Sequence, residues 1–255
     1  MKKNRFIFPV KLLILLLIIF LANCFIVGYI WKKCSVSDYF RIKEIIVKDA
    51  DAADLSYLKG RNIFILDLKK ESEYILESYP GYNKINLVRI LPSRLFVDFI
   101  KRNPVALVKL YKYFALDEDG VLFNALAQPE ESGLPVILGL ETKIFGPKPG
   151  RSYNIREISF ALDTIKEIKR SRALKDYRIK KLDVSTRANA SVFISLPGQK
   201  GAQESLLEVR LGADNIENKI AILGGIFSQG KFDLYKIKYI DLRFKGPVVK
   251  NKDAK

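Results

Sequence analysis

The chain has no histidine, two cysteines, one methionine and one tryptophan. Without histidine no Ser-His-Asp or Cys-His constellation can form, and the commonest transition-metal ligand is missing. No cofactor and no metal site are therefore expected. Carboxylate chemistry stays open, and the densest acidic cluster is Asp117, Glu118 and Asp119. It runs into Gly120 between two apolar stretches, Val108 to Leu116 and Val121 to Phe123, which is the chemistry of a hairpin turn rather than of an acid and base pair. Cys24 and Cys34 are about 15 Å apart if one helix carries both, beyond disulfide reach, so the folded part must stand on its apolar cores. The loop Gly146-Pro147-Lys148-Pro149-Gly150 lacks the spacing of a phosphate-cradling loop and reads as a rigid connector. Lys109 to Phe114 interleaves basic and aromatic residues, which a strand with basic outer positions explains without nucleic acid. Asn189-Ala190-Ser191 matches a glycosylation acceptor, a pattern too short to carry weight. The chain reads as a non-enzyme.

What is present is one unbroken apolar run, Leu12 to Trp31, behind a tail carrying Lys2, Lys3, Arg5 and Lys11. As a helix it covers about 30 Å, the hydrocarbon thickness of a bilayer. A cleaved signal would have an apolar core of about 7 to 15 residues and a small-residue cleavage site. Neither fits here. Leu21-Ala22-Asn23-Cys24 is a poor lipoprotein signal, because Asn23 is too large and Phe25 to Trp31 would leave an apolar stub. The expectation is an uncleaved anchor from Leu12 through Phe20 to Trp31. Tyr29 and Trp31 suit the interfacial aromatic belt, with Lys32 and Lys33 snorkelling beside them. Asn23 is the one polar residue that could pair with a neighbouring helix, lipid-facing tolerance being the alternative. Basic residues flank both ends, so local charge does not decide orientation. Long domains cross largely regardless of charge, which keeps the short N-terminal tail in the cytoplasm and the bulk outside.

The formal charge is +16, of which +12 lies beyond Trp31. Beside a membrane such an excess points to anionic lipid or wall rather than nucleic acid, with a solvated basic surface as the plainer explanation. After a polar spacer, Phe40 and Ile42, then Ile45 and Val47, read as a strand with a bulge at Lys43-Glu44. Asp51 to Leu58 predicts a short helix closed by Gly60, and Asp67 caps a second helix carrying Leu68, Ile75 and Tyr79 on one face until Pro80-Gly81. Strands Ile85 to Leu91 and Leu95 to Ile100 follow, joined at Pro92-Ser93. Beyond them, Asn154 with Glu157 and Asp214 with Glu217 look like capping boxes. They open helices bearing Ile155, Ile158, Leu162, Ile165 and Ile168, and then Ile216, Ile220, Leu223 and Phe227, the second ending at Gly230. Ile179 to Ser185, Val192 to Leu196 and Leu206 to Leu211 read as strands, with 197–202 a turn-rich link.

The fold class is thus α+β. A single transmembrane helix precedes a unit of order β-α-α-β-β, and a β-rich domain follows whose sheet packs on two helices. The expected boundaries are a tail 1–11, helix 12–31, spacer 32–38, first domain 39–104, β domain 105–246 and tail 247–255. The order of elements resembles the POTRA domain and following β domain of the bacterial division proteins FtsQ and DivIB. The resemblance rests on Phe40, Ile42, Ile45 and Val47; on Gly60, Asn62-Ile63-Phe64 and Leu66-Asp67; on Leu87 to Pro92; and on Arg102 and Pro104-Val105-Ala106. It continues through Leu116-Asp117, Gly120 and Leu122-Phe123, and ends in Tyr239-Ile240-Asp241-Leu242-Arg243-Phe244.

In that last stretch Ile240, Leu242 and Phe244 alternate with Tyr239, Asp241 and Arg243, and a terminal strand at a sheet edge offers unpaired backbone groups to a partner. The resemblance implies an FtsB-like partner, itself bound to an FtsL-like protein, at Tyr239, Ile240, Leu242, Arg243, Phe244 and Val248. Arg243 would pair with an acidic partner residue and Phe244 would supply apolar contact. Septal wall synthases would be recruited through this complex, in the bacterial inner membrane. A closing strand with no partner is the alternative. Two other readings compete: a POTRA-bearing envelope transport or assembly component, for whose β-barrel the chain is too short, and a membrane-tethered wall-binding protein.

Overall fold

The computed structural model describes residues 7–50, 53–196, 205–229 and 233–252. Most of the basic tail, Asp51, Ala52, the link 197–202 and Gly230 lie outside the described residues. The chain divides into two compact units, Met1–Ser78 with Tyr82–Lys101, and Tyr79–Gly81 with Arg102–Lys255.

The first unit opens on helix α1, Ile7–Val36. Pro9 falls in its first turn, where a missing N–H breaks no hydrogen bond. From Leu12 to Val36 this helix is long and apolar enough to cross a membrane once, and its apolar window is buried nowhere in the protein. Helix continues through Lys32 and Lys33, where a spacer was expected. Ser37 ends it, its Oγ accepting from the Tyr39 amide to cap a 3-10 turn at Asp38–Phe40. The strand expected from Phe40 begins only at β1, Glu44–Lys48. Phe40 ends the 3-10 turn and Arg41 makes an isolated bridge to Asn62. The apparent phase slip at Lys43-Glu44 is therefore a join between two structures, not a bulge. In place of the helix expected at 51–58 there is a 3-10 turn, Ser56–Leu58, followed by Gly60 at φ +81°. Helix α2, Leu68–Ser78, starts as expected at Asp67, whose Oδ1 accepts from the amides of Lys69 and Lys70.

Strands β2, Tyr82–Ile90, and β3, Arg94–Lys101, complete the unit. The sheet order is β1-β3-β2, with β1 parallel and β2 antiparallel to β3. Alternation on β3 sends Leu95, Val97 and Phe99 inward to join Ile42, Leu58, Ile63 and Ile75. Arg89 reaches from β2 to donate to the carbonyls of Ile63 and Leu66, both at 2.6 Å, which fixes the loop before α2.

The second unit is one mixed sheet built from β4, Ala106–Lys109, β5, Tyr113–Leu116, and β6, Leu122–Asn124, a short helix α3, Pro129–Ser132, and β7, Val136–Leu138. Helix α4, Arg156–Arg170, is followed by β8, Arg178–Asp183, β9, Ser191–Leu196, and β10, Ser205–Arg210. Helix α5, Ile216–Ser228, precedes β11, Ile237–Asp241, and β12, Val248–Asn251. Among the described residues the order is β12-β11-β10-β9-β8-β7-β4-β5-β6.

Both helices expected on the sheet are there, with Ile158, Ile165, Ile168, Ile220 and Leu223 in one core with Val192, Ile194, Val209 and Ile240. Their N-termini differ from expectation. No side chain caps α4, because Glu157 is drawn to Lys143 at 2.8 Å and Asn154 is bonded to Ser152. Asn215, at φ +52°, precedes α5 without a side-chain cap, so Asp214 stands too early to serve. The stretch Val108 to Leu116 is two strands, not one. Leu110 to Lys112 forms a hairpin turn between β4 and β5, and this also accounts for the basic and aromatic interleaving there. The expected turn at Asp117–Gly120 joins β5 to β6, with Gly120 at φ +74°.

Candidate functional site

The two faces of the large sheet differ. One packs on α4 and α5. The other is covered at the β4-β5-β6 end by a small apolar cluster in which Leu134 and Val136 pack on Leu107, Ala115 and Phe123. At the β9 to β12 end its outward positions are mostly polar. Register aligns Phe193, Glu208, Tyr239 and Lys250 in one row across four strands, and Ser191, Arg210, Asp241 and Val248 in the next.

Parallel pairing of β10 with β11 brings charges of both signs together. The Arg210 guanidinium lies 3.9 Å from the Tyr239 ring centroid and its Nε donates to Glu208 at 2.8 Å. The Ser191 hydroxyl also donates to Glu208. Arg243, just past β11, grips Asp241 through Nε and Nη2, the latter at 2.6 Å, while its Nη1 donates to the Asn189 side-chain oxygen at 2.6 Å. The backbone N–H of Arg243 donates to the same carboxylate, giving Asp241 a closed set of donors. The Arg243 hydrogen bond holds the Asp241 carboxyl below its usual range, and the same contact raises Arg243.

A group with a depressed folded pKa contributes stability that is present above the ordinary carboxylate value, about 3.9, and is lost as pH falls through the folded one. Asp241→Asn should therefore cost about 1–2 kcal/mol at neutral pH, with the gap from the native chain closing below about pH 4. Urea unfolding at both pH values checks this. A gap that stays constant on acidification would remove the ion pair as its cause.

The residues expected to meet a partner are divided by this geometry. Tyr239 is half-buried under Arg210, Arg243 is turned to Asp241 and Asn189, and Phe244 and Val248 are exposed at 64% and 47%. Ile240 and Leu242 are buried in the core. Arg243 already pairs with a carboxylate within the chain. Tyr239 to Phe244 is not the edge either. β11 is enclosed between β10 and β12, and the strand ends at Asp241, so Phe244 stands in the connection beyond it. The segment expected to be a tail after Gly246-Pro247 supplies the outermost strand, β12. Val249 packs inward from it, and Lys252 closes it by donating from its amide to the Lys236 carbonyl at 2.7 Å. Glu208 and Arg210 carry no signal in the sequence, and Asn189 and Ser191 stand out only as a glycosylation-type triplet, because the neighbourhood of all four depends on the β10 and β11 register.

The anchor residues Leu12, Phe20, Tyr29 and Trp31 are exposed along α1. Asn23 donates its side-chain amide to the Ile19 carbonyl of the same helix at 2.9 Å. The Lys33 ammonium lies 5.8 Å from the Tyr29 ring centroid. Among the described residues no cluster of histidine, cysteine, aspartate or glutamate has the composition to hold a metal.

The family model "Cell division protein FtsQ/DivIB, C-terminal" matches residues 106–243. The cell division protein FtsQ of Syntrophotalea carbinolica is 26% identical over 225 residues, covering 86% of this chain and 76% of that protein. That of Geotalea daltonii is 23% identical over 234 residues, covering 88% and 81%. That of Myxococcus fulvus is 24% identical over 168 residues, covering 66% and 55%.

Proposed function

This chain belongs to the FtsQ/DivIB family of cell division proteins, a family of non-catalytic scaffolding components, and from that membership we propose how it works. It is a single-span divisome scaffold of the bacterial inner membrane, with its N-terminus in the cytoplasm and both units outside. The first unit serves as a POTRA domain. Its element order and its sheet order β1-β3-β2 support this. The second unit holds FtsB-like and FtsL-like partners and so links them to septal peptidoglycan synthesis. The transport reading has no support among relatives that are named for cell division.

The observation that carries the proposal is the open outer edge of β12. Among the described residues it is the end of the sheet, with no strand beyond it. A partner segment adds there by backbone hydrogen bonds, while Phe244 and Val248 give it an apolar surface beside the edge. The site thus moves one strand outward from Tyr239–Phe244 to Val248–Asn251. Tethering both partners to one membrane raises their effective concentration, so a small interface suffices.

The test is co-purification of the full-length chain with an FtsB-like protein. Phe244→Glu should weaken binding about tenfold or more by placing a charge where apolar contact forms, and a chain stopped after Pro247 should not bind at all. Retention by the truncated chain would remove strand addition at β12. A reporter fused at Lys255 tests the orientation, and cytoplasmic activity there would overturn it.

A further inference from the structure

Beyond the division role, the root of α1 borders a recess in the first unit. Helix α1 does not end at the membrane boundary. If Leu12 to Trp31 fills the hydrocarbon, Ser35 stands about 6 Å further along the axis, within a headgroup layer about 5–7 Å deep. At that level the first unit closes against the helix. The Trp31 and Phe64 rings meet edge-on with centroids 5.9 Å apart, and Phe64 in turn meets Phe40 at 5.0 Å. Asn62 donates to the Cys34 carbonyl at 2.9 Å. The loop from Gly60 to Leu66 is thereby held at the depth of the bilayer interface.

Between this loop and the helix lies a recess of about 430 Å³ lined by Ser35, Val36, Arg41, Arg61, Asn62 and Ile65 among others. Its chemistry is two-sided. The Ser35 hydroxyl is buried there with no hydrogen-bond partner, an unmet requirement that buried polar groups rarely show. Two guanidiniums flank it. Arg41 spends Nε on Asp38 and Nη1 on the Gly60 carbonyl, and Arg61 spends Nη1 on Glu71. Each guanidinium has five N–H donors, so both keep donors to spare. Val36 and Ile65 stand exposed at 73% and 65%, which is unfavourable in water and favourable against acyl chains. The carbonyl end of α1 opposes an anion. Two of its carbonyls are already taken, Lys33 by the Ser37 amide and Cys34 by Asn62. Asp38 and Glu71 offset part of the charge of the two guanidiniums, and the neighbouring Lys32 and Lys33 restore a positive surplus.

We propose that this recess binds the headgroup phosphodiester of an anionic phospholipid in the leaflet where α1 emerges. Arg41 and Arg61 take the phosphate oxygens, the Ser35 hydroxyl donates to one of them, and Val36 and Ile65 lie along the upper acyl chain. Lys32, Lys33 and Lys43 add a basic collar that selects an anionic over a zwitterionic lipid. The bound lipid fixes the first unit at the membrane surface through the loop at Gly60–Leu66.

Trp31, the chain's single tryptophan, reports on this site directly. The full-length chain is reconstituted in phosphatidylcholine nanodiscs containing a small fraction of brominated lipid, either phosphatidylglycerol or phosphatidylcholine. Brominated phosphatidylglycerol should quench Trp31 more strongly than the same fraction of brominated phosphatidylcholine, and this comparison needs no mutant. Arg41→Gln with Arg61→Gln should erase the preference and lower phosphatidylglycerol retention in native mass spectrometry about tenfold. Lys112→Gln with Lys238→Gln, remote in sequence from the recess, should leave both readouts unchanged. Equal quenching by the two lipids in the native chain would overturn the proposal, as would full retention in the double arginine variant. Loss of the preference on adding millimolar inorganic phosphate would assign the recess to a soluble anion and overturn the lipid reading.

Discussion

Gly139→Ala should leave the second unit unable to fold, with a cost above about 4 kcal/mol, the range reserved for the most disruptive single changes. Gly139 follows β7 at φ +86°, a left-handed conformation that costs an L-residue about 1–2 kcal/mol. The larger penalty is steric. A Cβ at this position would meet the backbone nitrogen and the Oγ of Ser185, and would lie 2.5 Å from its Cα. Backbone cannot step aside as a flexible side chain does. The neighbouring Val184 amide donates to the Leu138 carbonyl at 3.0 Å, and β7 pairs with β8 from Val136 to Leu138, so relief requires parting the centre of the sheet. Circular dichroism and limited proteolysis of the full-length variant check the outcome. A second unit that melts cooperatively near the native temperature would show that the chains separate at little cost.

Asp117→Ala should destabilise the same unit by about 3–5 kcal/mol, because it strips a buried guanidinium of its carboxylate. Arg102 and Asp117 pair at 2.6 Å with side chains only 9% and 6% exposed. The other oxygen of Asp117 accepts from the amides of Asp119 and Val121, at 3.1 and 2.8 Å, and so ties the hairpin turn. Alanine removes all three contacts at once. For a domain of this size the melting temperature should fall by roughly 10 °C. Asp117→Asn with Arg102→Met, which removes both charges and keeps a turn acceptor, should recover much of that loss. If the double change is as damaging as the single one, turn geometry rather than the buried charge is the dominant contribution.

Asp117 also shows how far residue chemistry alone can be read. An acidic cluster running into glycine between apolar stretches means a turn, and a turn is there. The Arg102 partner fifteen positions away is invisible in such a pattern, since the contact depends on how the chain returns. The helix starts teach the same lesson. Asn154 and Asp214 satisfy the local capping pattern, yet longer-range contacts and a left-handed Asn215 take precedence. The edge strand was the largest difference. Val248-Val249-Lys250-Asn251 is too short and too polar to announce a strand, and only pairing with β11 makes it one.

The sequence by itself determined the long apolar helix α1, helix α2 with the β2-β3 pair after it, the two helices of the large sheet and the absence of histidine-based chemistry. These are properties of continuous apolarity, local periodicity and composition, which depend on residues close together in the chain. The tertiary structure alone decided which strand is the free edge, which arginines already have partners, and which apolar residues stay exposed. Each of those depends on strand register or loop closure between distant segments. Ile240 and Phe244 are equally apolar in sequence, but one is buried beneath the helices and the other stands open beside β12, because the strand ends between them.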